Sequence, residues 1–233
     1  MDTTTVYWGL FVRPDEFANR ALLTKPPVRV ISDLKDIYNP ESKAFSCPAV
    51  RNKHKNTFVY KLPFDVSVSV RDGVYQSKHL NTGQRQSMYK GGFSFDIDYQ
   101  LIFYSFEELL LETSPPYMHQ SPWTALGHTP SGSFNIGRWF RPSAPNISVY
   151  PNIESIELNQ SDPLIYYNFV TDKQVVLQQF FVTDYLFDIA MNLVNHKLVV
   201  PNEPLDSLYD KFEDGKIDTL VQREILDNLL GRS

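Results

Sequence analysis

One cysteine, Cys47, is all that the chain holds in 233 residues. That excludes an intrachain disulfide framework and any multi-thiolate metal site, and it fits a reducing compartment. Long apolar runs are missing as well, since no stretch approaches the ~20 residues of a membrane helix. The opening MDTTTVYWGLFV carries no basic segment, and its apolar run is broken by Arg13 and Pro14, so no signal peptide is expected. Basic charge is not in excess either: 22 Lys and Arg stand against 27 Asp and Glu, a net charge of -5, which argues against general nucleic-acid binding. Neither phosphate-loop pattern, Gly-x-x-x-x-Gly-Lys or Gly-x-Gly-x-x-Gly, occurs, and there is no Gly-x-Ser-x-Gly elbow; Ser131-Gly132-Ser133 lies in a loop context. None of the five His begins the His-x-Asp or His-x-Glu pair that a strand-borne iron site needs.

Aromatics and turn formers are what the chain has in quantity: 16 Phe, 13 Tyr, 3 Trp and 16 Pro. That bias favours sheets and turns over a helical bundle. The expected fold is mainly β, an antiparallel sandwich or barrel-like sheet over residues 1–182, followed by a helical segment over 183–233 that packs on it or on a partner. Thr5 to Val12 reads as a buried strand, and Val66 to Val70 alternates Val and Ser as a half-exposed one. Asp72-Gly73 is a tight-hairpin dipeptide. Asn81 to Gly92 suits a mobile surface loop, and Phe93 to Tyr104 suits one long or bent strand with Asp96 and Asp98 turned to water. Phe106 to Glu112 fits helix and strand about equally. Four apolar segments between Ile147 and Phe181 have the spacing of a meander, sandwich or barrel. Thr183 is a good N-cap for a helix over Tyr185 to Asn195, and two more helical patterns follow to Leu230, with a stop at Gly231.

Candidate chemistry concentrates between Pro115 and Pro142, PPYMHQSPWTALGHTPSGSFNIGRWFRP, which holds two Trp, two His and two Arg. The segment is too irregular for one element and too aromatic for a solvated linker, so an ordered loop packed on a sheet is expected. Arg138 and Arg141 flank Trp139-Phe140, placing two guanidiniums beside a large aromatic surface. Such a group either grips a carboxylate, phosphate or base, or ties loops together around a plug of Trp139 and Phe140. A pocket from this segment would take in His119, Trp123, His128, Arg138, Trp139 and Arg141, with Asp96 or Asp98 as a third ligand should a metal be held. Two further candidates are weaker. Cys47 stands near Arg51, Lys53 and His54, where cations favour a thiolate, or is simply a small buried residue. Arg51 to Lys55 is a basic patch that the overall charge does not support as a nucleic-acid surface.

In order along the chain, Cys47-Pro48-Ala49, Asn56-Thr57-Phe58, Pro63-Phe64-Asp65, Pro115-Pro116-Tyr117, Gly132 to Pro142 (GSFNIGRWFRP) and Asp162-Pro163-Leu164 with Phe169 and Thr171 resemble the landmarks of a protein family encoded by large contractile-tailed phages of marine bacteria. The resemblance implies synthesis in the host bacterial cytoplasm, with residence there or in the virion, and supplies no catalytic residue. The leading expectation is a noncatalytic accessory or structural protein that acts through protein partners or self-association. The alternative is a small-ligand binder or metal-dependent enzyme with its pocket at 115–142. No cofactor is implied, and neither a membrane nor a nucleic-acid partner is expected.

Overall fold

A computed structural model describes residues 2–22, 24–39, 43, 45–71, 74–77, 82–85 and 87–230, with the backbone alone at 82, 83 and 85. The Asp72-Gly73 dipeptide, His79 and the Gly231 stop lie outside the described residues. Along the chain run β1 (Thr3–Phe11), α1 (Pro14–Ala21), β2 (Val28–Arg29), α2 (Val30–Ile37), α3 (Pro48–Lys53), β3 (Thr57–Lys61), β4 (Val66–Arg71), β5 (Val74–Ser77), β6 (Thr82–Arg85), β7 (Phe93–Ile97), β8 (Gln100–Tyr104) and β9 (Leu110–Ser114). A 3-10 turn (Pro122–Ala125) leads into β10 (Gly127–His128), β11 (Gly132–Asn135), β12 (Pro142–Ser143), β13 (Asn146–Val149), β14 (Ser155–Leu158), β15 (Pro163–Val170) and β16 (Gln174–Gln179). Helices α4 (Asp184–Val199), α5 (Leu205–Asp214) and α6 (Ile217–Asp227) close the chain.

The molecule is mainly β with C-terminal helices, a sandwich-like arrangement of largely antiparallel sheets without a closed barrel among the described residues. Two sheets dominate, ordered β12-β8-β1-β16 and β11-β9-β15-β3-β2. Strand β1 explains the layering. Val6, Trp8 and Leu10 enter the main core, where they meet Phe58, Tyr167 and Phe169 of the facing sheet, while Phe11 enters a second core with Ile102, Tyr104, Leu186, Phe212 and Ile225. A strand apolar on both faces needs a cover on each side, so helices α4 to α6 fold back over the outer face of its sheet. Helix α2 covers the opposite sheet, with Val30 and Leu34 on Val59 and Tyr166. Gly9 has a steric reason within this strand: a Cβ there would stand 2.8 Å from Val182 Cγ2, so the missing side chain lets the approach to α4 lie close.

The four regularly spaced segments become strands but do not form a meander. β13 pairs with β7 and β10, β14 with β4, β15 with β3 and β9, and β16 runs parallel to β1. Each joins a different neighbour because partner choice follows which apolar face needs covering, a long-range condition that local spacing does not encode. Residues 93–104 are likewise two strands in two sheets, broken at Asp98-Tyr99. The mobile loop expected at 81–92 is in part β6, antiparallel to β7. Residues 106–112 are not helical, and β9 carries the chain onward from Leu110. Strands β4 and β5 pair antiparallel on either side of the 72–73 position.

The helical end follows its capping signals. Thr183 Oγ1 accepts the Leu186 N–H at 3.3 Å and donates to Glu224 Oε1 at 2.9 Å, so the residue that starts α4 also ties down α6. Glu224 thereby forms part of the joint between α4 and α6. The last helix stops at Asp227, short of Leu230: Leu229 bridges to Phe180 and the Leu230 N–H bonds the Gln179 carbonyl, so residues 228–230 leave the helix and lie beside the end of β16. No helix among the described residues is long and apolar enough to cross a membrane.

Candidate functional site

The segment 115–142 folds as a connection that buries its Trp and Phe140 side chains against the sheets, but its six candidate side chains do not assemble into one pocket. Trp123, on the 3-10 turn, is fully buried in the main core and its Nε1–H donates to the Pro163 carbonyl at 3.1 Å. His128, on β10, bonds the Tyr89 hydroxyl through Nδ1 at 3.2 Å and stacks on Tyr150. Both serve local packing.

His119 is held at both ring nitrogens. Nε2 lies 2.8 Å from Asp33 Oδ2, and Nδ1 bonds the Tyr166 hydroxyl. Asp33 also receives Lys61 Nζ at 2.7 Å. A carboxylate only accepts, so Nε2 carries the proton and Nδ1 accepts from Tyr166. Burial lowers the His119 pKa below its ordinary 6.5 and outweighs the pull of Asp33, whose charge Lys61 already offsets. Burial likewise pushes the Tyr166 phenol far up. A neutral His fixed between α2 and β15 is a structural tie, since Tyr166 is fully buried and no substrate reaches it.

This tie has a pH signature. Below pH 6.5 the unfolded chain takes up a proton at His119 that the folded chain refuses, so stability rises with pH through that window. Replacing His119 with Gln should flatten that part of the dependence. Urea unfolding of both proteins at about pH 5 and about pH 7.5 reads the difference, and equal slopes would show that His119 protonates freely in the fold.

Arg138 and Trp139 anchor α5. Arg138 bonds Glu213 through Nε at 2.5 Å and through Nη2 at 3.1 Å, reaches Asp210 at 3.0 Å, and lies over the Tyr209 ring. Its bond to Glu213 first, with further help from Asp210, holds its pKa above the ordinary value. Trp139 is buried against Leu208 and Tyr209, meeting the latter edge-on at 5.9 Å, while Phe140 enters the second core. Asn135 sets the geometry of this turn. Its Oδ1 accepts from the Leu109 and Gly137 N–H groups, and its own N–H reaches the Tyr209 hydroxyl. A Cβ on Gly137 would collide with the Glu107 carbonyl, so glycine is required where the segment crosses that backbone.

Arg141 behaves differently. It is half-buried and has no hydrogen bond or ion pair among the described residues, and burial lowers its pKa against the opposing effect of the Tyr209 phenol. It stands in the wall between two clefts. The larger, of about 500 Å³, lies against the end of α4 and is walled by Trp139, Ile165, Val194 and Leu198, with Asp96 on its polar side. The other, of about 400 Å³, holds Arg13, Arg20, Asp98 and Phe187.

The two aspartates part company. Asp96 is buried and accepts from Asn146 Nδ2 at 2.9 Å, beside a Ser94–Ser148 hydroxyl pair at 2.9 Å. Asp98, beyond the end of β7, pairs with Arg20 at 3.1 Å. Asp96 is thus not solvent-facing, because β13 brings Asn146 and Ser148 opposite Asp96 and Ser94 in register. No group of three His, Cys, Asp or Glu side chains comes together as a metal site among the described residues, so the His119, His128 and Asp96 version is not assembled. In the basic patch at 51–55, Arg51 and Lys53 are exposed on α3, while His54 is buried beneath Tyr117, where burial lowers its pKa, and Lys55 bonds the Asp172 carbonyl. Cys47 is half-buried ahead of Pro48 rather than sealed in the core.

Set beside known families and curated proteins, the chain matches none. Sequence reasoning missed the partners of two candidate residues, Asp33 with Lys61 for His119 and Asp210 with Glu213 for Arg138. For the second pair a signal existed: acids three apart in an amphipathic helix share a face.

Proposed function

We propose that this chain is a noncatalytic accessory or structural protein that works through protein contacts, and that the contact face is the apolar shelf where α4 ends. The observation that carries this reading is the run Leu198, Val199 and Val200, exposed to 66%, 80% and 40%, with Leu205 at 37%. Apolar side chains contiguous in sequence and open to water, at a helix end with no cover, are where a partner removes the largest area from solvent. The adjoining helix is acidic, with Asp206, Asp210, Glu213 and Asp214 against Lys211. A partner that presents apolar residues bordered by Lys or Arg is complementary, whereas a second copy on the same face would set acid against acid. The resemblance to the phage family points to partners among the virion or assembly proteins of such a phage, met in the host bacterial cytoplasm or in the virion. Of the side chains that the sequence offered for chemistry, His119 is bonded at both ring nitrogens and Arg138 is paired with Glu213 and Asp210 inside the fold, which supports a binding role over a catalytic one.

The test is co-expression with each structural protein of the encoding phage, followed by light scattering of the purified species. One of them should form a complex of fixed stoichiometry with the native chain. Leu198→Asp combined with Val199→Asp should abolish that complex and leave unfolding within about 0.5 kcal/mol, as for exposed positions. A complex that survives both substitutions would remove the shelf from the reading.

A further inference from the structure

We propose that the cleft beside Arg141 binds an apolar carboxylic acid, its carboxylate on the guanidinium and its hydrocarbon body along Trp139, Ile165, Val194 and Leu198. The proposal shares Leu198 with the contact shelf but does not rest on it. Other partly buried arginines of this chain have their charges answered: Arg138 by Glu213 and Asp210, Arg20 by Glu16 and Asp98, Arg29 by the Lys55 and Val175 carbonyls. Arg141 faces a cleft with neither acid nor carbonyl bonded to it among the described residues. A half-buried guanidinium without a protein acceptor is incompletely solvated, and a carboxylate supplies two parallel charge-assisted bonds at once.

The rest of the wall sets the class of acid. At about 500 Å³ the cleft has the size of a small-molecule site. Asp96, on its polar side, accepts from Asn146, and Lys197 is already committed to the Glu203 carbonyl. A single guanidinium without a partner among the described residues matches the single charge of a carboxylate. The apolar stretch from Trp139 to Leu198 then selects a hydrocarbon body. A free medium-chain acid and the C-terminal residue of an apolar peptide share this chemistry.

The experiment is calorimetric titration of the full chain with octanoate, N-acetyl-leucyl-leucine, octanamide and inorganic phosphate, beside thermal unfolding of Arg141→Met. Saturable binding of octanoate, or of the dipeptide alone, supports the proposal and tells the free acid from the chain end. Affinity for the acid should fall about ten- to a hundredfold in Arg141→Met, as expected for the loss of a charge-assisted pair. The same variant without ligand should melt about 2–4 °C higher, because it no longer buries an unanswered charge. Octanamide binding as well as octanoate, phosphate competing equally, or no saturation by either acid would overturn the proposal. A lower melting temperature for Arg141→Met would also overturn it, by showing that the guanidinium stabilises the fold.

Discussion

Trp139→Ala is expected to destabilise the protein by about 3–5 kcal/mol, the range for deleting a buried aromatic. The indole is 1% exposed and fills the space between the sheet layer and α5, against Leu208 and Tyr209 with Leu193 beside it. Those neighbours stand on two different helices, so they cannot close over the void together without breaking their other contacts. Arg138→Ala should cost less than about 1 kcal/mol in comparison, because its pairs with Asp210 and Glu213 lie at an exposed edge and water replaces much of what is lost. Denaturant unfolding of the two variants separates the roles. If Trp139→Ala lost no more than Arg138→Ala, the indole would not be the plug that fastens α5.

Much of the fold is legible in the sequence, for reasons that particular residues make clear. Strand β1 and helix α4 are readable because the signal is local: β-branched and aromatic residues in the first, a threonine cap ahead of a 3.6-residue period in the second. The break at Asp98-Tyr99 is hidden because alternation continues toward it. Ser94 and Asp96 look like a wetted face, yet Ser148 and Asn146 of β13 supply the partners that let them be buried. The pattern Asn146-Ile147-Ser148 alternates in the same way as Ser94-Phe95-Asp96, and two matching polar stripes are a pairing signal that periodicity within one strand does not read.

The candidate site was legible in part, and the reason is again partner choice. The four residues Arg138 to Arg141 are marked by type, but nothing local separates an arginine that meets Asp210 and Glu213 some seventy residues on from one that meets none. The distinction appears once α5 is seen to lie along Arg138 and to leave Arg141 facing the end of α4. His119 shows the same dependence in reverse. The sequence grouped it with His128 in one pocket, and its true partners, Asp33 and Tyr166, come from α2 and β15, so the ring became a buried neutral tie.

Asn56 leads to the second large effect, and nothing in the sequence names the partners of its side chain. The side chain is buried, and its amide is fully used: Nδ2 donates to the Thr171 carbonyl at 2.9 Å and to the Lys173 carbonyl at 2.8 Å, while Oδ1 accepts the Val175 N–H at 3.0 Å. Two carbonyls and one N–H fix which end of the amide is which. Through these bonds the start of β3 holds the turn between β15 and β16, and so the strand that runs beside β1. Asn56→Asp keeps the shape, removes both donors and leaves a carboxylate facing two carbonyl oxygens. At neutral pH it should lose about 3–5 kcal/mol, as for a buried charge left unanswered. Desolvation raises the pKa of such an aspartate above the ~3.9 of the unfolded chain. The folded state then binds the proton more tightly, so the deficit is full above the raised pKa and shrinks as pH falls toward about 4. Denaturant unfolding of both proteins at several pH values measures the gap. A small gap that stays constant with pH would mean that water reaches the amide and that the turn is held by other bonds.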